Sequence, residues 1–184
     1  MQLLFDEIDS PIGMVLIAVD DGKLCALDFA GDETRMEALL EKRYGSGIFR
    51  QGMVKKPNPC GFSDKVRHYF AGELSALETI PVATGGTAFQ QACWQALRHI
   101  PPGSTASYGE QAARLSNPKA VRAVGRTNGL NPVALVLPCH RVVGANGTLT
   151  GYAGGLWRKE WLLKHEGVVT PPSRQVAQQQ VISF

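Results

Sequence analysis

The 184-residue sequence is short of several things, and each shortage removes a class of protein. It has no unbroken apolar run of roughly 18 residues, so a membrane-spanning helix is excluded as an expectation. Charged residues make up only 19%, too few for a disordered chain, while 44% apolar residues suffice for a core. The stretch from Met1 to Glu7 lacks the basic segment that opens a secretory signal, which points to a cytoplasmic protein. Cysteines number four (Cys25, Cys60, Cys93 and Cys139), widely spaced and without a CxxC pair. That pattern disfavours a zinc site or a disulfide framework and suits free thiols. Acid is scarce in one half. Residues 85–184 hold 3 Asp/Glu against 10 Lys/Arg, a net +7, whereas residues 1–84 hold 13 against 9, a net −4. A basic half suits a polyanionic partner. A merely solvated basic face fits the charge equally well.

What is present reads as α/β. Three β-like segments, 3–8, 14–19 and 24–29, open the chain, with Asp20-Asp21-Gly22 as a hairpin signal. Residues 33–44 carry Met36, Leu39 and Leu40 on one helical face. Residues 46–62 are rich in Gly and Pro and read as loop. A helix follows over 63–70, with Ser63 as N-cap and Val66, Tyr69 and Phe70 inward. Ala83-Thr84-Gly85-Gly86 marks a boundary, giving expected domains over 1–84 and 85–169, with 170–184 as a flexible tail.

In the second half, Thr87 to Gln90 matches a capping box for a helix to about Ile100. Cys93 shares a stripe with Phe89, Leu97 and Ile100, so it belongs to the core. Two short helices come next: residues 108–115, then a helix N-capped by Asn117 with Pro118 at its first position, to about Thr127. Their short link reads as a helix-turn-helix. The second helix carries Lys119, Arg122 and Arg126 among the small residues Ala120, Ala123 and Gly125. Val133 to Leu137 is a continuous apolar run, read as a buried strand. A last helix over 156–165 offers Trp157, Trp161 and Leu162 for packing, with Gly167 closing it.

Cys139-His140 lies after that run and before a glycine-rich loop, a usual place for chemistry. A thiol is a weak nucleophile until deprotonated, and a histidine can assist. Adjacent residues on a strand point opposite ways, so partnership needs a turn or a bridging water. A buried Cys beside a solvent-facing His fits the spacing as well. Glu166 sits at a helix C-terminus, where a carboxylate opposes the macrodipole. A compensating His or Arg would explain it, with His140 as a candidate. A solvent-exposed end residue is the plainer reading.

Pro138-Cys139-His140-Arg141-Val142 resembles the PCHRV motif of the O6-alkylguanine-DNA alkyltransferases, or methylated-DNA–protein-cysteine methyltransferases. Tyr108, Asn117 to Gly125, Asn131-Pro132, Gly151 to Gly155 and Lys159 to Gly167 match the family in order and spacing. Ser63-Asp64-Lys65 and Tyr69 to Gly72 are similar to the constitutive bacterial members. The resemblance implies a small RNase H-like α/β domain followed by a mostly helical domain with a helix-turn-helix. It implies repair of alkylated guanine, and of O4-alkylthymine, in double-stranded DNA. The chain would act as a monomer, without cofactor or membrane.

By the same resemblance, Cys139 is the alkyl acceptor, His140 its base through a water, and Glu166 the orienter of His140. Asn131 braces the turn, and Tyr108 donates to guanine N3. Val142, Tyr152, Ala153 and Gly154 shape the base pocket. Arg122 is the finger that replaces a flipped nucleotide. Lys119 and Arg126 serve phosphates, and Ala120 and Ala123 permit close approach in the minor groove. Two positions depart from the pattern. Ala153 stands where many relatives carry Ser, and Asn128 where some carry a larger apolar residue; both bear on substrate range. Some relatives hold zinc in the first domain, but with only Cys25, Cys60 and His68 there no metal is expected. The alternatives are a lesion-binding protein without chemistry, a cysteine hydrolase and a transcription regulator. The presence of Cys139 argues against the first. The helix-turn-helix has no use in the second. The third needs major-groove residues that are not found.

Overall fold

The computed structural model describes residues 2–31 and 33–169, so the expected tail lies outside the described residues. Contacts divide the chain into two units. One runs to Thr87 and includes Pro132–Val136; the other holds Ala88–Asn131 and the described residues from Leu137 on.

The first unit is built on β1 (Leu3–Ile8), β2 (Val15–Asp20) and β3 (Lys23–Phe29), an antiparallel meander. Asp21 and Gly22 both have positive φ, the conformation that lets a two-residue turn match the twist of its strands. Helix α1 (Glu33–Tyr44) puts Met36 and Leu40 into a core with Leu16 and Ala18 of β2. Leu16 and Ala18 are two apart, as one face of a strand requires.

The stretch over 46–62 is not plain loop. It holds α2 (Ile48–Gln51) and β4 (Met53–Lys55), which pairs in parallel with β1 and completes the order β3-β2-β1-β4. The three residues of β4 have no alternation to read; β1's open edge makes them a strand. Leu3 N donates to Gly52 O at 2.7 Å to begin the pairing. A Cβ on Gly52 would lie 2.9 Å from the Ile48 carbonyl oxygen, a backbone atom that cannot swing aside as the Ile48 Cδ1 at 2.3 Å could, so this close return favours glycine.

Helix α3 (Phe62–Phe70) starts one residue before Ser63, and Gly61 is its N-cap. Ser63 is buried inside the helix because Asp6 of β1 competes for its hydroxyl, which donates to Asp6 Oδ2 at 2.5 Å. Val66 and Tyr69 are fully buried, but Phe70 only half.

The expected strand over 133–137 is replaced by one bridge. Leu27 N donates to Pro132 O and Ala134 N to Leu27 O, adding Val133 alone to the edge of β3. Leu135 then adopts φ +66°, which ends any strand. The run is buried throughout, and burial is all that a short apolar run establishes.

The second unit opens with α4 (Ala88–Leu97). Cys93 is fully buried against Ala112 and Val124, a core residue as its spacing indicates. Next come β5 (Ala106–Ser107), α5 (Tyr108–Arg114) and α6 (Val121–Gly129). Ser107 and Glu110 form a capping box that fixes the start of α5.

Asn117 does not cap α6. Its N–H bonds to Ala112 O and that of Ser116 to Ala113 O, with Ser116 at φ +57°, so this pair closes α5 as a Schellman motif. Ala120 N then donates to Asn117 O in a further turn. The helix therefore begins at Val121, and the link is longer than expected.

β6 (Val142–Val143) pairs in parallel with β5, and α7 (Leu156–His165) ends the described fold. Gly167, at φ +85°, closes α7 through Gly167 N to Lys164 O and Val168 N to Leu163 O. Leu162 packs fully and Trp161 half, but Trp157 is 41% exposed. Among the described residues no helix is long and apolar enough to cross a membrane.

Candidate active site

Cys139, His140 and Arg141 form a single 3₁₀ turn after Pro138. The turn removes the difficulty of a strand end, where neighbouring side chains would diverge. Asn131 braces it: Asn131 Nδ2 donates to Leu137 O at 2.7 Å and to Cys139 Sγ at 3.3 Å.

The next two side chains converge on Glu166, the C-cap of α7. His140 Nε2 lies 3.0 Å from Glu166 Oε1. Arg141 grips the same carboxylate through Nε at 2.9 Å and Nη2 at 2.8 Å, and its Nη1 donates to Ile100 O. A carboxylate opposing the helix dipole is thereby offset by a fork-shaped cation. All three side chains are buried.

Burial pushes the Glu166 carboxyl up, but hydrogen bonds and charge from His140 and Arg141 outweigh it and hold it well below the usual carboxylate range. Burial lowers the His140 pKa, against the opposing pull of Glu166. The imidazole is therefore neutral at neutral pH and donates from Nε2 to the carboxylate. Its Nδ1, buried and without a protein hydrogen-bond partner, keeps a lone pair that can take a proton.

A cavity of about 130 Å³ adjoins the thiol. Cys139, Tyr108 and Asn128 line it, together with Gly151, Tyr152 and Ala153 of the glycine-rich loop. Tyr108 OH donates to Thr150 O at 3.1 Å, and burial raises its pKa, so the phenol stays protonated.

A cation outside the expected set also serves this loop. Lys159 is fully buried, and Nζ donates to Val142 O at 2.6 Å and Thr150 O at 2.8 Å. Burial brings its pKa down to about 8, opposed by charge on Cys139. The Cys139 thiol should therefore react more slowly with an alkylating reagent above about pH 8, as the ammonium loses its proton. Lys159→Met should remove that alkaline limb and slow the reaction at neutral pH by about tenfold, the scale of charge-assisted hydrogen bonds. A pH–rate profile checks this; an identical profile in the variant sinks it.

The residues match two family descriptions. The 6-O-methylguanine DNA methyltransferase ribonuclease-like domain matches residues 3–84, and the DNA binding domain of the same family matches residues 88–168. A methylated-DNA–protein-cysteine methyltransferase of Salmonella typhimurium is 49% identical over 168 residues, covering 91% of this chain and 97% of that one. One from Methanosarcina acetivorans is 44% identical over 159 residues, covering 86% and 95%.

The chain belongs to this methyltransferase family.

Among solved structures, the O6-methylguanine methyltransferase of Mycobacterium tuberculosis is similar with a TM-score of 0.74, 40% identity and coverage of 96% and 99%. Its DNA complex is similar at 0.74 and 41%, covering 89% and 92%.

Of the residues singled out in the sequence, Cys139, Asn131, His140 and Glu166 come together, and Tyr108, Tyr152 and Ala153 line the cavity. Val142 and Gly154 are not among its lining residues. The Val142 carbonyl accepts from Lys159, and the Gly154 carbonyl from Arg158 at 2.8 Å. Arg122, Ala123 and Arg126 are exposed on α6; Lys119 and Ala120 precede it in the turn. Arg141 and Lys159 have no assigned role in the sequence reading. A signal for one of them exists. Lys159, Leu162, Leu163 and Glu166 fall at i, i+3, i+4 and i+7, so two charged residues sit on the buried stripe of α7.

Proposed function

We propose that this chain repairs DNA by moving an alkyl group from O6 of guanine to Cys139, once per molecule. The observation that carries this is a thiol beside a cavity, on a turn whose next residue is a neutral, carboxylate-bound histidine. His140 Nδ1 takes the thiol proton through a water. The thiolate attacks the alkyl carbon in line; the S–C bond forms as the C–O6 bond breaks. The electron pair leaves with guanine, and Tyr108 donates to its N3. A saturated carbon needs no oxyanion hole. The test is the intact mass of the chain after exposure to a duplex carrying O6-methylguanine. A gain of one methyl group supports the reading, and an unchanged mass overturns it.

O4-alkylthymine in a duplex is a second substrate, and a cytoplasmic monomer is the acting form. The exposed face of α6 meets the minor groove. That groove carries little sequence code, which suits a protein that must ignore sequence. Lys119 and Arg126 contact phosphates, while Ala120 and Ala123 allow the backbone near. Arg122 enters the stack where the damaged nucleotide leaves it.

Arg122→Ala should slow repair in duplex DNA but leave transfer from free O6-benzylguanine nearly unchanged, because a free base needs no flipping. Equal slowing of both would make Arg122 a support of the fold instead. Loss of Lys119 or Arg126 should weaken duplex binding for every sequence and flatten its salt dependence.

A further inference from the structure

Asn128 has hydrogen-bonding capacity that the protein does not use. It lies on α6, is 6% exposed and lines the cavity beside Cys139. The other α6 residues lining that cavity, Gly125 and Gly129, have no side chains. Asn128 is thus the one α6 side chain presented to it among the described residues.

The amide is held by Gln111 of α5. Asn128 Nδ2 donates to Gln111 Oε1 at 2.7 Å, and Gln111 Nε2 donates to Asn128 Oδ1 at 3.3 Å. Gln111 Nε2 also donates to the Cys93 carbonyl at 3.0 Å. A carbonyl only accepts, so that end of Gln111 must be nitrogen. The end of Asn128 that meets Gln111 Oε1 must then be nitrogen too. A backbone carbonyl of α4 therefore fixes which way both amides face.

A primary amide has two N–H donors and an oxygen with two lone pairs. Gln111 uses both of its donors. Asn128 uses one N–H and one lone pair, and keeps one of each on a buried side chain in the cavity wall. Water competes poorly in such a place, so a substrate atom that completes the bond gains more there than in solvent.

We propose that Asn128 is a specificity-determining residue: its remaining N–H favours transfer of alkyl groups that carry a hydrogen-bond acceptor, such as 2-hydroxyethyl, over hydrocarbon groups of equal size. The inference rests on alkyl transfer to Cys139 and names the substrate class within it. A hydrocarbon group entering the cavity leaves the N–H unmet. An oxygen at the same position meets it.

The experiment uses the full chain and duplexes carrying O6-(2-hydroxyethyl)guanine or O6-propylguanine, whose transferred groups have equal numbers of heavy atoms. Single-turnover rates are normalised to methyl transfer by the same variant, which cancels general damage. In Asn128→Leu the hydroxyethyl-to-propyl ratio should fall about fivefold, the scale of one neutral hydrogen bond. Leucine leaves Gln111 Oε1 unpaired, so Gln111→Met/Asn128→Leu is measured beside it and should show the same fall. A ratio unchanged in both variants overturns the proposal. So does an equal loss for all three lesions, which marks a structural role. Absence of methyl transfer by the unaltered chain overturns the transfer reading itself, and this inference with it.

Discussion

Given a large excess of duplex holding O6-methylguanine, the protein will take up one methyl group per chain, on Cys139, and then stop. The product is a thioether, whose carbon is no longer bonded to a good leaving group. In the proposed mechanism His140 takes a thiol proton, which does nothing to break an S–C bond. Cys139→Ser should abolish transfer, a loss on the order of 10⁶-fold by the measure of nucleophile removal elsewhere. A hydroxyl is far harder to ionise than a thiol, and the histidine is unchanged. Duplex binding should survive, because the exposed cations of α6 lie outside the turn. Peptide mapping locates the methyl group, and quantified methyl uptake counts it. A second methyl per chain, or uptake by the serine variant, would sink the assignment.

The second large effect belongs to Glu166. Glu166→Gln leaves the buried Arg141 guanidinium without its counter-charge and His140 without its acceptor carboxylate. Removing one partner of a buried ion pair costs about 3–5 kcal/mol. In a chain of this size that lowers Tm by roughly 10 °C. Transfer should slow by roughly 10²-fold or more, the scale of acid–base assistance. The pH dependence follows from the directions of the shifts. A carboxylate held below its ordinary 4.5 contributes stability that is full above that pH and lost as pH falls through the folded value. A buried imidazole with a lowered pKa loses stability as pH drops below its ordinary 6.5, where the unfolded chain binds the proton first. Both act on the acid side. The unaltered protein should therefore destabilise on acidification, and the variant should lose the part below 4.5. Melting curves across pH, read with transfer rates, check both. An unchanged rate in Glu166→Gln would leave Glu166 without a part in the chemistry.

Local order in this chain was legible where the determinants are local. The hairpin at Asp21-Gly22, the ends of α1 and α7 and the core place of Cys93 follow from spacing and turn residues a few positions apart. The misread pieces depend on partners far along the chain. β4 is a strand because β1 lies beside it. Ser63 leaves the cap position because Asp6 attracts its hydroxyl. Asn117 closes one helix because Ala112 needs a donor. The site divides the same way. The motif around Cys139 is visible in the sequence, but the turn that turns Cys139 and His140 from strand neighbours into a working pair is braced by Asn131 from outside it. The sequence gives Arg141 and Lys159 no role because cations are ordinarily solvated, and only their burial reveals that these two are not.

Residues 132–136 have one more consequence, for the order in which the molecule can be made. During synthesis the sheet strands leave the ribosome early, yet the bridge from Leu27 to Val133 waits for more than a hundred further residues. The first unit can collapse before then, and Val82 bridges Leu24 on the β3 edge, but the Leu27 end of that edge stays open until α4, α5 and α6 have been made. Strand edges of that kind invite foreign pairing. The vulnerable nascent chain is therefore the one halted between residues 87 and 132. A truncation there should aggregate more readily than one released after residue 136.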